Sequence, residues 1–100
     1  MEPVQIVLTK GGRGAFYLRE GEEPIGEMVF HIADGNMTVY HTEVSPEFEG
    51  KGLAGQLLNA MVEYARQHQL KVVPLCPYVH AQFKRHPERY EDVWSKEEAE

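Results

Sequence analysis

One hundred residues, 42% of them hydrophobic and 26% charged, make one small folded domain spanning residues 1–100 rather than a disordered or fibrous chain. A net charge of −6 excludes a general nucleic-acid binder, which needs clustered Lys and Arg, and tolerates a cationic substrate better than a polyanionic one. A single cysteine, Cys76, excludes an internal disulfide framework, and no apolar run approaches the ~20 residues of a membrane span, so the expectation is a cytoplasmic chain with no membrane partner.

The N-terminal "MEPVQIVLTK" lacks the layout of a signal peptide. From there the first half reads as strands: "VQIVLT" (Val4 to Thr9), "AFYLRE" (Ala15 to Glu20), "IGEMVFHI" (Ile25 to Ile32) and "MTVYHTEV" (Met37 to Val44). Each is rich in β-branched and aromatic residues. Turn chemistry separates them, at Gly11-Gly12, at Gly21 to Pro24 and at Asp34-Gly35-Asn36. Connections this short favour an antiparallel meander.

After Val44 the period changes. Ala54, Leu57, Leu58, Met61, Val62 and Ala65 recur at i, i+3, i+4, i+7, i+8 and i+11, which is one face of a helix. "KVVPLC" (Lys71 to Cys76) is a short buried strand reached through that helix, so it should run parallel to the strand ending at Val44. Pro77 suits the start of a second helix, Tyr78 to His86, which Pro87 ends. "ERYEDVW" reads as a docked tail using Val93 and Trp94, and "SKEEAE" as a frayed end. The fold class is α/β in the α+β sense: a mixed, mostly antiparallel sheet with a β-α-β-α C-terminal half.

Between Val44 and the first helix lies "SPEFEGKGLAG". Gly50 and Gly52 leave the backbone bare and free to take unusual angles, and the helix behind them turns its unpaired N–H groups to the same place. Together they suit an anion; the alternative is a glycine turn that binds nothing. Gly50 to Gly55 satisfies G-x-G-x-x-G, but its context is not that of a dinucleotide site. Four strands precede it, and no acidic residue closes the next strand. No Gly-Lys-Ser/Thr exists for a Walker A loop. The five histidines form no i, i+4 pair, so no metal is expected. His41 and Glu43 share one strand face because side chains alternate, as a solvated pair or a functional one. Cys76, at a strand end before a Pro-Tyr helix start, is either an inert buried thiol or one activated by the helix N-terminus.

"HTEVSPEFEGKGLAGQLL" resembles the acyl-CoA-binding segment of the GCN5-related N-acetyltransferases, whose Gln/Arg-x-x-Gly-x-Gly/Ala pattern falls on Glu49 to Ala54. With "VVPLCPYVHAQFKRHPERYEDV", the likeness runs from about Phe16 to Trp94 and looks like the family's small YjdJ-like subfamily. The resemblance implies a sheet that splays after Val44, with acetyl-CoA as co-substrate in a wedge between that strand and Val72 to Leu75. Pantetheine would pair with the backbone of Glu43, Val44 and Ser45, and the diphosphate would meet Gly50, Lys51, Gly52, Leu53, Ala54 and Gly55. Glu43 or His41 would take the proton of an acceptor amine, small or peptidic. Cys76 and Tyr78 would serve the leaving group or a transient acyl carrier, with the Cys76 sulfur facing the wedge. Glu49 departs from the family's Gln or Arg. The reading is a monomeric acetyl-CoA-dependent N-acetyltransferase; the alternative is an acetyl-CoA sensor without an acceptor.

Overall fold

Short, glycine-bearing connections can only return a strand beside its predecessor, and the sheet follows that rule through its first four members. The computed structural model of the protein describes residues 3–95. Strands β1 (Gln5–Leu8), β2 (Arg13–Glu20), β3 (Glu23–Ala33), β4 (Asn36–Val44) and β5 (Lys71–Pro74) lie side by side in chain order. Pairs β1–β2, β2–β3 and β3–β4 are antiparallel. A single 3₁₀ turn, Pro46–Phe48, and helix α1 (Leu53–Gln67) then carry the chain back so that β5 runs parallel to β4. Helix α2 (Pro77–Arg85) and the one-turn α3 (Pro87–Tyr90) follow. This is the α+β order expected from the sequence, with β5 ending at Pro74 rather than at Cys76.

The helical periodicity buries the residues it marks except Ala54, which is half-buried and lines a cleft. Leu57, Leu58, Met61, Val62 and Ala65 of α1 are buried and join Phe16, Leu18, Met28, Phe30, Met37, Val39 and Val72 of the sheet in one core. Val79 and Phe83 of α2 complete it. The tail docks as expected. Val93 is buried, and Val72 bridges to Trp94 through bonds from the Val72 N–H to Val93 O (2.6 Å) and from the Ser95 N–H to Val72 O (2.9 Å). Of the expected frayed end, the residues after Ser95 lie outside the described ones.

One irregularity re-aims the functional end of β4. Its register against β3 steps from Phe30↔Val39 to Val29↔His41, leaving Tyr40 as an extra residue. Such a bulge resets the alternation. Uninterrupted period-2 spacing would put residue 41 on the core face with Met37 and Val39. Instead Thr42 and Val44 share the face of Met28 and Gly26, while His41 and Glu43 join Val29 and Glu27 on the other.

Candidate active site at the parting of β4 and β5

The pairing of β4 with β5 covers only Asn36↔Lys71 to Val39↔Pro74. The strands therefore part well before Val44, where the resemblance sets the splay. Two local causes are visible: Pro74 has no N–H to continue the ladder, and the bulge at Tyr40 turns β4 away. Beyond Pro74 the chain folds over, with the Leu75 N–H on Val73 O (3.1 Å) and the Cys76 N–H on Val39 O (2.8 Å). The free end of β4, the N-terminus of α1 and the N-terminus of α2 then face one cleft. Val44, Phe48, the glycine turn and Tyr78 line this cleft of about 360 Å³, within the usual range of small-ligand pockets.

The glycine turn presents bare backbone on the cleft. Gly50 and Gly52 hold φ of 83° and 79°, the left-handed region that glycine enters without strain. A Cβ built on either meets no heavy atom within 4 Å, so the bare backbone faces open space rather than protein. Gly52 is the N-cap of α1, and no side chain caps that end. The first-turn N–H groups therefore have no side-chain acceptor at the N-cap.

The expected site residues divide into three groups. Gly50, Gly52, Leu53, Ala54, Gly55, Val44 and Tyr78 line the cleft together, and Glu49 lines it too; Lys51 is exposed and does not. Glu43 and Ser45 line a second cavity with Pro24 to Gly26, Glu27 and Pro46, and Val44 is common to both. His41 is exposed on the same face as Glu43. Cys76 is the exception to the expected geometry. It is 2% exposed within the core, its Sγ 3.3 Å from the Thr42 hydroxyl. The bond from its own N–H to Val39 O pulls it under β4 where β5 departs, so the sulfur closes the apex of the splay instead of facing into it. Burial pushes the Tyr78 phenol above its ordinary pKa of 10.0, with Tyr90 and Cys76 adding to the shift. At neutral pH it is protonated.

Two residues had no sequence signal. Thr42 acquires its role from the bulge, and Glu27 from the register that sets it across from Glu43. Glu27, His41 and Glu43 each bring one ligand-type atom within 4.8 Å of the others. A search for i, i+4 spacing cannot find a group assembled across two strands.

Comparison with known proteins agrees with this architecture. A family model described as GCN5-related N-acetyl-transferase matches residues 15–93. The NMR solution structure of a GCN5-like protein from Staphylococcus aureus is 27% identical, with a TM-score of 0.69 and coverage of 99% of this chain and 95% of that one. The crystal structure of a ribosomal-protein-alanine N-acetyltransferase from Brucella melitensis biovar Abortus 2308 has the same fold, with 20% identity and a TM-score of 0.61 over 89% of this chain and 66% of that one.

Proposed function

The chain belongs to the GCN5-related N-acetyltransferase family, and from that premise we propose that it is an N-acetyltransferase using acetyl-CoA as co-substrate. The observation that carries the acyl-CoA assignment is the uncapped N-terminus of α1 behind two left-handed glycines, opening on the cleft where β4 has lost its partner strand. The diphosphate of CoA fits the amides of Gly50 to Gly55 by the anion preference of a helix N-terminus. The extended pantetheine arm suits the edge of β4 that faces away from β3 around Val44, as an added strand would; the Ser45 N–H is already held by Ile25 O (2.9 Å).

In this reading a neutral amine attacks the thioester carbonyl, the C–N bond forms, and backbone amides near Val44 stabilise the oxyanion. The amine's proton passes to Glu43 or His41, directly or through water. The C–S bond then breaks, and the Tyr78 phenol, kept protonated by burial, supplies the proton that the CoA thiolate takes up. Cys76 lies beneath these groups and supports the end of β4 through Thr42.

Incubation with acetyl-CoA and a panel of amines, with released thiol measured, tests this reading. Turnover beyond one equivalent of CoA per protein supports transfer. Binding of acetyl-CoA with no turnover on any amine would leave a sensor. Tyr78→Phe should lower kcat by about 10²-fold, the usual loss for a general acid, with little change in acetyl-CoA affinity.

A further inference from the structure

The two edges of the sheet end differently. At β5 the tail closes the ladder through the bridge of Val72 to Trp94. At the other end of the strand order stands β1, with β2 as its one strand neighbour. Helix α1 packs over β2 to β5, and Ile6, Val7 and Leu8 of β1 are left 39%, 47% and 51% exposed. Alternate residues of an edge strand turn both N–H and C=O to the neighbour, and those between turn theirs away. The Thr9 N–H donates to Arg13 O (2.8 Å), and the Val7 carbonyl lies against Gly14. Ile6 and Leu8 therefore present their backbone groups to the free side. Exposed edges usually carry a charge, a proline or a bulge that discourages pairing. Val4 to Thr9 has no charge, no proline and no glycine, and β1 pairs with β2 without a register shift. Six residues of high β-propensity without such features are the pattern of segments that pair with copies of themselves.

We propose that β1 is a self-association edge, taking β1 of a second copy antiparallel to form one continuous sheet about a twofold axis at Val7. Ile6 of each copy then exchanges both backbone bonds with Leu8 of the other. This is the register that uses both outward residues of β1 and none beyond the strand. Ile6 and Leu8 share the face of Phe16 and Gly14, where Phe16 meets Tyr64 of α1, so each covers the other's exposed side chain. Val7 meets Val7 of the second copy on the opposite face. Such pairing is isologous and closes. With the tail on β5, the dimer keeps no free outer edge and does not grow into a fibre. Four residues a side are far fewer than the roughly 20–30 of a standard interface, so the dimer is weak, with a Kd above about 1 µM. Strands β2 and β3 separate this edge from β4, and the inference is independent of the acyl-CoA reading of the cleft.

Sedimentation of the full chain from about 10 µM to about 1 mM should carry the mean mass from 11.4 kDa toward twice that value. Val7→Lys sets like charges against each other at the axis and should stay monomeric throughout, as should Val7→Glu. An equimolar mixture of the two should dimerise again. Circular dichroism of each should match wild type, because Val7 is exposed. The cysteine variants decide the register, and decide the proposal if a charged variant fails to fold. Val7→Cys places the two Cα atoms about 4.5 Å apart, as in a non-hydrogen-bonded pair, within reach of a disulfide, and should cross-link on mild oxidation. Gln5→Cys lies roughly 14 Å from its counterpart by strand geometry and should not, while Cys76 is buried. A monomer at about 1 mM, a dimer that survives Val7→Lys, or a charge mixture that stays monomeric overturns the proposal. Cross-linking of Gln5→Cys equal to that of Val7→Cys, or a mass that climbs past the dimer, overturns the closed twofold arrangement.

Discussion

Glu49 occupies the position where the family's acyl-CoA pattern has Gln or Arg, and the structure gives that departure a consequence. Its side chain is exposed and lines the cleft, whereas Lys51, the cation expected to offset it, lies outside the lining. Glu49→Arg should therefore tighten CoA binding at low salt, with the gain fading once the Debye length falls below about 10 Å. Calorimetry at two ionic strengths measures it, and unchanged affinity would mean that Glu49 turns from the diphosphate. Cys76 was legible as either a buried thiol or an activated one, and the structure has it buried, 2% exposed, with its sulfur in the core rather than facing the wedge. Its place between an apolar strand and a Pro-Tyr helix start left both readings open, and the bond from its N–H to Val39 O fixes it beneath β4. Thiol reagents should modify it more slowly in the folded protein than in urea. Cys76→Ala should cost about 1 kcal/mol in a denaturant titration and leave acetyl-CoA affinity near wild type. Slower transfer in that variant would support a positioning or chemical role for the thiol; the wild-type rate would make it purely structural.

Among the elements, the five strands, α1, α2 and their order were legible because each repeats a local pattern: alternation, the i, i+3, i+4 stripe of α1, glycine and proline at the breaks. The one-turn α3 was not, since Pro87 read as a helix end when it also starts the next turn. Nor was the bulge. Nothing local to "VYHT" announces Tyr40 as an extra residue, since bulges arise where two strands of unequal path must stay paired; yet it decides which face His41 and Glu43 occupy. The N-terminus of α1 gives a direct test of what was legible. Gly52→Val places a β-branched residue at φ 79°, costing about 1–3 kcal/mol of backbone strain, and fills the space before the helix amides. It should abolish acetyl-CoA binding while circular dichroism shows the fold retained. A folded variant that binds normally would put the diphosphate elsewhere. The tail contributes a pH dependence. Arg66 grips Asp92 through Nε (2.8 Å) and Nη2 (3.2 Å) and also bonds Arg89 O. The hydrogen bond from Arg66 holds the Asp92 carboxyl below its ordinary 3.8, against a smaller opposing effect of burial. A lowered carboxyl pKa stabilises the fold above the ordinary value and ceases to do so as the pH falls through the lowered one. With the side chains 41% and 56% exposed, the contribution is at most about 1 kcal/mol. Asp92→Asn should melt slightly lower than wild type at pH 7 and equally at pH 2; an unchanged difference at both would show that the ion pair is not responsible.

For the whole molecule, the cleft is the place where the fold is least complete. One sheet, one core and a docked tail account for the packing of α1, α2 and β5, but the last residues of β4 have no strand on one side and the α1 N-terminus has no cap. A suitable ligand would give that backbone partners it otherwise finds only in water. Acetyl-CoA spanning both ends would join β4 to the starts of α1 and α2, three elements that otherwise meet around an open cleft. Linkage sets the size of the effect: ligand at about a hundred times its dissociation constant stabilises the native state by roughly 2.7 kcal/mol. For a domain of this length that is on the order of ten degrees in melting temperature. NAD offers the discriminating control, since it also carries a diphosphate and would be the natural ligand if Gly50 to Gly55 were a dinucleotide fingerprint. It lacks the pantetheine arm that would pair along the open edge of β4. Thermal scans should therefore show a large shift with acetyl-CoA, a similar one with CoA, and little with NAD at equal concentration. A shift with NAD and none with acetyl-CoA would return the turn to the dinucleotide reading and remove the basis for placing an acyl-CoA along β4.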